Sequence, residues 1–174
     1  RKRIEESGSS CKLFYADLEN YQEAVDMIKQ VLVEFPELDL MVHNASVFDV
    51  SPFATVDEEV FDRQFEVNFK SPFFMTQHYV NHSLKGHVVN ILDTNIQSNM
   101  SMRFTAYNLS KKAMMHLTRM MAVDLAPEFR VNGIAPGPVF RSANASEEEF
   151  QQRIQETPLK LEIPGKTIAS ALNY

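Results

Sequence analysis

The stretch Leu38-Asp-Leu-Met-Val-His-Asn-Ala-Ser46 begins with a short apolar run and ends in polar residues. A run of this length fits a buried strand, and the polar residues after it fit a strand exit. Similar runs predict strands at residues 11–16, 38–42, 87–92 and 130–135. Helical spacing of apolar residues predicts helices between them, at residues 18–35, 62–81 and 105–126. Strands that alternate with helices predict a doubly wound α/β fold, in which helices cover both faces of a parallel sheet.

The remaining segments also show helical features. Residues 1–7 fit the end of a helix closed by Gly8, and Asp57 fits the N-cap of a short helix before residue 62. Residues 144–155 fit an amphipathic helix or a mobile lid, and residues 164–174 begin another helix. Because no linker or repeat divides the chain, we expect one domain over residues 1–174. The first residue is not Met and lies within a helical pattern, so we expect the domain to be incomplete at both termini, without its first βα unit and last strand.

The composition narrows the class of protein. The 174 residues carry a net charge of −6 and are 44% apolar, which argues against disorder and against nucleic acid as a partner. The one cysteine, Cys11, allows no intrachain disulfide, and no run of apolar residues is long enough to span a membrane. We therefore expect a soluble cytoplasmic protein without a membrane partner. None of the five glycines lies within three residues of another, so no glycine-rich phosphate loop is present.

Ligands of open parallel sheets bind beyond the carboxyl ends of the strands. The strand exits at residues 17–18, 43–48, 93–95 and 136–139 are therefore the segments in which to look for a site. Five histidines are present, and only His78 and His82 have a spacing that could share a metal. Without a third ligand nearby, we expect no metal site.

Tyr107 and Lys111 are four residues apart on a predicted helix, so both side chains lie on one face. An adjacent ammonium stabilises a phenolate and lowers the pKa of the phenol. Such a tyrosine can protonate a carbonyl or imine group while a hydride arrives from a nicotinamide. An ordinary helical Tyr/Lys pair is the alternative interpretation of this spacing alone.

Several motifs together resemble those of the short-chain dehydrogenase/reductase family. Tyr107-Asn-Leu-Ser-Lys111 resembles its Tyr-x-x-x-Lys motif, and His43-Asn-Ala-Ser46 resembles its Asn-Asn-Ala-Gly motif. Asn68-Phe-Lys-Ser-Pro-Phe-Phe resembles its helix asparagine motif, and Arg130-Val-Asn-Gly-Ile-Ala-Pro-Gly-Pro-Val139 resembles the strand and turn that frame the nicotinamide. The motifs keep the family's order and spacing, and the resemblance implies a Rossmann-like fold and NADP(H)-linked oxidoreduction.

The resemblance also implies roles for individual residues. Tyr107 is expected to be the general acid, with Lys111 lowering its pKa and holding the nicotinamide ribose. Asn68 is expected to position a water in a proton relay. The expected cofactor contacts are Asp17 and Leu18 at the adenine, Asn44, Ala45 and Ser46 at the middle, and Pro136, Gly137 and Val139 at the carboxamide.

The chain departs from the family pattern at two places. Thr94 stands thirteen residues before Tyr107, where most members have serine, and the neighbouring Asp93 is an alternative because pteridine-reducing members use an aspartate there. A threonine hydroxyl can donate the same hydrogen bond, so both residues stay candidates. The glycine-rich turn is missing, and these 174 residues alone are therefore expected to hold a dinucleotide poorly.

Asn44-Ala-Ser-Val-Phe48 is similar to the Asn-Ala-Ser-x-Phe of pteridine reductases and of the related dihydromonapterin and dihydrofolate reductases. By this resemblance Phe48 would stack on a pterin ring, Ser46 would reach a cofactor phosphate, and the cofactor would be NADP(H). A generic ketone reductase, such as one acting on 3-oxoacyl thioesters, and a non-catalytic scaffold are the alternatives. The resemblance further implies a homodimer or homotetramer, formed through the helices at residues 62–81 and 105–126.

Overall fold

A three-stranded parallel sheet forms the centre of the computed structural model, which describes residues 2–6, 8–94, 102–141 and 146–172. The strands are β1 (Leu40–His43), β2 (Gly86–Ile91) and β3 (Phe129–Ile134), in the order β1-β2-β3. The helices are α1 (Lys2–Glu6), α2 (Tyr21–Glu34), α3 (Glu58–Phe65), α4 (Ser71–His82), α5 (Thr105–Asp124), α6 (Glu147–Glu156) and α7 (Gly165–Ala171). This confirms the expected Rossmann-like α/β architecture with a parallel sheet. None of the helices in these ranges is both long and apolar enough to cross a bilayer.

The core lies on the face of the sheet that carries Met41, Val88 and Val131, which are in register on the three strands. Ile28 of α2, Tyr79 of α4 and Phe129 of β3 complete this buried cluster. The Tyr79 hydroxyl donates to the backbone oxygen of Leu38 at 2.8 Å, which satisfies its buried polar end. Gly86 is required beneath it, because a Cβ there would lie 1.9 Å from the Tyr79 oxygen.

Residues 58–82 form one continuous helical run, although the sequence predicted a short helix followed by a separate long one. Asp57 caps the run as predicted, accepting a hydrogen bond from the Val60 amide at 2.8 Å. α3 and α4 are joined by a single π-helical turn, Glu66–Lys70, rather than by a break. Such turns shift the register of a helix by one residue and are frequent at functional sites. Asn68 lies in this turn.

The strand predicted at residues 11–16 is not formed. No regular secondary structure is assigned to these residues, and Leu13 and Tyr15 are exposed rather than buried. Cys11, at the start of this segment, is partly buried. The strand prediction is therefore wrong here: the apolar pattern is typical of a strand, but a strand also needs a neighbour for its backbone hydrogen bonds. The described ladders join only β1 to β2 and β2 to β3.

The helices near the two ends of the chain follow their local signals. Gly8 has a φ of +86° and closes α1, with Gly8 N–H donating to Glu5 and Ser9 N–H to Ile4. Ser146 and Glu149 form a capping box that starts α6. Residues 144–145 of the predicted helix, and residues 1, 7 and 173–174 of the other predicted ends, lie outside the described ranges. That α6 acts as a lid stays a prediction.

Near the carboxyl ends of the strands, polar side chains of the sheet form a layer of contacts with polar side chains of the covering helices. The Nε2 of His43 lies 2.8 Å from the Thr76 hydroxyl, which itself donates to the backbone oxygen of Pro72. That hydroxyl has only one proton, so His43 is the donor and its Nε2 carries hydrogen. Asn90 donates to Thr118 at 2.8 Å in the same layer. Burial lowers the pKa of His43 from 6.5 to about 4.

We expect His43→Asn to make the fold less sensitive to acid. Below pH 6.5 the unfolded chain protonates this imidazole while the folded chain does not, so the free energy of unfolding falls as the pH falls toward about 4. For the partly buried His43 imidazole, we expect the free energy of unfolding to fall by about 2 kcal/mol. Urea unfolding from pH 7 to pH 4 measures it. The exposed His116 provides the control His116→Asn, and an equal acid loss in wild type and His43→Asn would contradict the prediction.

Candidate active site

Tyr107 and Lys111 lie on one face of α5, close to the carboxyl ends of the strands. Both are buried, with exposed fractions of 7% and 4%. The Lys111 Nζ lies 5.9 Å from the centre of the Tyr107 ring and donates to the backbone oxygen of Ile91 at 3.0 Å. That hydrogen bond ties the amine to the last residue of β2. The spacing of the two residues on the helix thus produces the shared face that the sequence predicted.

Asp93, rather than Thr94, contacts Tyr107 in this structure. The Tyr107 hydroxyl donates to the Asp93 Oδ2 at 2.8 Å, whereas Thr94 is exposed. Of the two candidates that the sequence left open, Asp93 is therefore the one that the end of β2 directs at the Tyr107 hydroxyl. Asn95, the last residue of the predicted exit, lies outside the described residues.

The electrostatics of the pair differ from the expectation. The pKa of Tyr107 is raised, first by burial and then by the charge and hydrogen bond of Asp93, while a hydrogen bond with Ser46 acts in the opposite direction. Burial lowers the pKa of Lys111 to about 8, and Asp93 partly offsets this effect. The pKa of Tyr107 is therefore not lowered as the spacing with Lys111 predicted, because burial and the Asp93 carboxylate oppose the phenolate. At neutral pH the phenol is protonated.

Asn68 uses its side-chain amide inside the protein. Its Oδ1 accepts from the Val47 amide at 2.9 Å and from the Ser46 hydroxyl at 3.0 Å. Its Nδ2 donates to the Val47 oxygen at 3.0 Å and to Ser110 at 3.2 Å, and Gln64 lies 3.4 Å away. An amide offers two donors and two acceptor sites. The side chain therefore has no hydrogen-bonding capacity left for a water, and any water-positioning role would fall to its backbone.

Phe48 lies beside Tyr107, with ring centres 4.6 Å apart in an edge-to-face arrangement. It is 45% exposed, so its ring is accessible from solvent. Phe104, which the sequence analysis missed, stacks on Phe48 with ring centres 4.3 Å apart and planes inclined by 22°. Phe104 directly precedes α5, and its pairing with Ser51 brings it to this loop. The only feature of the sequence that could have pointed to Phe104 was its position three residues before Tyr107.

Some of the residues predicted to contact the cofactor line a cavity of about 260 Å³. Leu18, Asn44 and Ala45 line it, and the Ser71 hydroxyl fixes Leu18 by donating to its backbone oxygen at 2.7 Å. Asp17 is exposed beside it and accepts from the Glu19 amide. Ser46, expected at a cofactor phosphate, instead contacts Asn68 and Tyr107.

Pro136, Gly137 and Val139 lie in the turn after β3 and are partly buried. Ile163 packs against this turn and donates its amide to the Pro138 oxygen at 3.2 Å. The contacts of Tyr107 and Lys111 within the described ranges involve β2, its exit and the loop after β1 rather than this turn. The same ranges contain no group of three His, Cys, Asp or Glu side chains placed to hold a metal ion.

A family model described as short chain dehydrogenase matches residues 1–152. Among curated relatives, an NADPH-dependent aldehyde reductase 1 of Arabidopsis thaliana is 32% identical over 163 residues, covering 90% of this chain and 54% of that protein. A glucose and ribitol dehydrogenase of Daucus carota is 31% identical over 151 residues, covering 83% and 52%. The chain thus spans about half the length of these relatives.

Solved structures are similar over nearly the whole chain. FolM alternative dihydrofolate reductase 1 of Brucella canis, complexed with NADP, is 31% identical with a TM-score of 0.88, covering 99% of this chain and 71% of that one. The corresponding Brucella suis protein, also with NADP, is 31% identical with a TM-score of 0.91, covering 99% and 70%.

We expect Asp93→Asn to lower the pKa of Tyr107, because the substitution removes the negative charge that opposes the phenolate. Phenolate absorbance at high pH measures the ionisation. Subtracting the titration of the double variant Asp93→Asn/Tyr107→Phe from that of Asp93→Asn leaves the contribution of Tyr107 without those of the other four tyrosines. Asp62→Asn, at an exposed position of α3, is the control. An unchanged Tyr107 midpoint in Asp93→Asn would show that the carboxylate does not act on the phenol.

Proposed function

The chain belongs to the short chain dehydrogenase family, and we propose that its protein is an NADP(H)-dependent reductase that acts on a pterin-type substrate. The observation that carries this proposal is the buried Tyr107 with Lys111 and Asp93 around it and Phe48 at its ring. An acid, a cation and an exposed aromatic surface meet there at the carboxyl edge of a parallel sheet. That edge is where ligands of such sheets bind.

The described residues fit an NADP(H) cofactor. Leu18, Asn44 and Ala45 line a cavity at the strand ends, where Leu18 would contact the adenine and Asn44 and Ala45 the middle of the cofactor. Lys111, buried and fixed at the end of β2, would hold the nicotinamide ribose, with Pro136, Gly137 and Val139 framing the carboxamide. When bound, NADPH supplies a hydride. The similar FolM proteins, whose structures contain NADP, support this choice of cofactor.

Tyr107 would supply the proton of the reaction. Reduction of a ring C=N bond places the hydride on carbon and the proton on nitrogen, and the phenol is protonated at neutral pH because burial and Asp93 raise its pKa. Asp93 orients the hydroxyl by accepting its hydrogen bond. Lys111, with a pKa of about 8, is mostly an ammonium at pH 7 and would stabilise the phenolate left behind. Solvent then returns the proton to the phenolate.

A scaffold without catalysis is the alternative from another class, and Tyr107→Phe separates the two. The variant keeps the ring but loses the proton donor, so we expect turnover of dihydrobiopterin to fall by about 10²- to 10⁴-fold. The rise in NADPH fluorescence on binding should persist. A scaffold would give neither turnover nor fluorescence enhancement in wild type, and a fully active Tyr107→Phe would remove Tyr107 from the reaction.

The aromatic surface favours a flat substrate. Phe48 is 45% exposed beside the phenol, where an offset stack with a heteroaromatic ring is worth about 0.5–1.5 kcal/mol beyond buried area. The similarity to FolM dihydrofolate reductases supports the same substrate class. The second candidate is a generic carbonyl reductase, because Phe48 already has an aromatic partner in Phe104 and the curated relatives include an aldehyde reductase.

Phe48→Ala discriminates between these substrates. For a pterin reductase we expect kcat/KM to fall about tenfold or more, because both stacking and apolar area are lost. For a carbonyl reductase acting on a short 3-oxoacyl thioester the change should be small. Phe35→Ala is the matched control, since Phe35 is 42% exposed and directly follows α2. Equal activity of wild type and Phe48→Ala on dihydrobiopterin, dihydromonapterin and dihydrofolate would contradict the pterin assignment.

We also propose that the protein forms a homodimer or homotetramer in the cytoplasm. A row of phenylalanines in successive ring contact runs along the α3–α4 run, comprising Phe61, Phe65, Phe69, Phe73 and Phe74. Phe61 is 38% exposed, and on α5 Leu109 and Met120 are 46% and 61% exposed. A contact between copies would remove such apolar area from water.

A further inference from the structure

We propose that Gln64 is a positioning residue that, together with Asn68, holds Phe48 against Tyr107. The inference rests on the proposed function, since it concerns the ring on which the substrate would stack. Gln64 and Asn68 lie one helical turn apart on the α3–α4 run and are directed at the loop after β1. Their exposed fractions are 0% and 2%.

The two amides hold the residues on either side of Phe48. Asn68 bonds both the amide and the carbonyl of Val47, the residue before it. Gln64 donates through Nε2 to the carbonyl of Asp49, the residue after it, at 3.0 Å. The backbone is therefore fixed on both sides of the ring, while the ring itself remains accessible. A mobile loop could not keep an aromatic ring at a set distance from the phenol.

The hydrogen bonds also fix which way each amide faces. Asp49 offers a carbonyl, so the Nε2 end of Gln64 must point to it and the Oε1 end is left for the Asn68 Nδ2 at 3.4 Å. Ser110 accepts from the same Nδ2 because its own proton goes to the Tyr107 backbone oxygen at 2.8 Å. A continuous path of hydrogen bonds thus joins the loop that carries Phe48 to the turn of α5 that carries Tyr107.

Arg63, the residue before Gln64, is exposed and forms ion pairs that also reach Asp49. It contacts the Glu19 carboxylate at 2.8 Å and the Asp49 carboxylate at 3.3 Å. Exposed ion pairs of this kind contribute little to stability. The Gln64 amide is the stronger contact at Asp49, because it is fully buried and a buried polar group that loses its partner is costly. Gln64 is therefore the residue to substitute.

The test uses Gln64→Met, which keeps the volume without hydrogen bonds, and Gln64→Glu, which keeps the shape but replaces the donor with an acceptor. In the full-length protein, hydrogen exchange should speed up about fivefold over residues 45–50, as expected for about 1 kcal/mol of local opening. Exchange over β2 (Gly86–Ile91) should not change. Gln30→Met, at an exposed position of α2, is the control. The two variants cover the case in which one of them does not fold.

Kinetics supply the second measurement. For both variants the KM for dihydrobiopterin should rise more than kcat falls, while the NADPH dissociation constant stays at the wild-type value. Unchanged exchange over residues 45–50, acceleration that extends equally to β2, or an unchanged KM would each overturn the proposal. A wild-type protein that reduces no pterin contradicts the proposed function instead, and the exchange of residues 45–50 then still decides whether Gln64 holds the loop.

Discussion

The hydrogen bonds of Asn68 connect the three parts of the chain that form the candidate site. The loop after β1, the α3–α4 run and α5 each supply at least one partner to this buried amide. The π-helical turn Glu66–Lys70 places the amide inward, and a buried amide without partners costs about 1–3 kcal/mol for each lost group. Any conformation of the loop that breaks these hydrogen bonds is therefore disfavoured. The positions of Phe48 and Ser46 relative to Tyr107 follow from that constraint together with their own contacts to Phe104 and Asn68.

The relative magnitudes of the charges explain why the Tyr107 phenol is an acid rather than a phenolate. The Lys111 ammonium, 5.9 Å from the centre of the Tyr107 ring, favours the phenolate. Asp93 is in direct hydrogen-bond contact with the hydroxyl, so its opposing effect acts over a shorter distance, and burial adds to it. Lys111 is thus better suited to stabilise charge during proton transfer than to create it beforehand. A protonated donor is what a reductase needs when hydride arrives.

The sequence predicted the features that depend on local pattern. The three paired strands, the helices between them, the Asp57 cap and the shared face of Tyr107 and Lys111 all follow from periodicity and capping residues. It failed where a feature depends on partners distant in the chain. Residues 11–16 have a strand-like pattern but no strand in the described ladders pairs with them. The raised pKa of Tyr107 likewise depends on burial and on the direction of Asp93, which spacing along a helix does not reveal.

The Phe48–Phe104 stack sets a condition on any flat ligand. One face of the Phe48 ring already contacts Phe104, so a heteroaromatic ring gains stacking energy only at what remains exposed beside Tyr107. The existing stack also restricts rotation of Phe48 before a ligand arrives, and ordering one side chain in advance avoids a cost of about 0.5–1.5 kcal/mol. This gain is similar to the stacking energy of the ligand itself. Selectivity for flat substrates at this site would therefore depend as much on the neighbours that hold Phe48 as on the ring that touches the substrate.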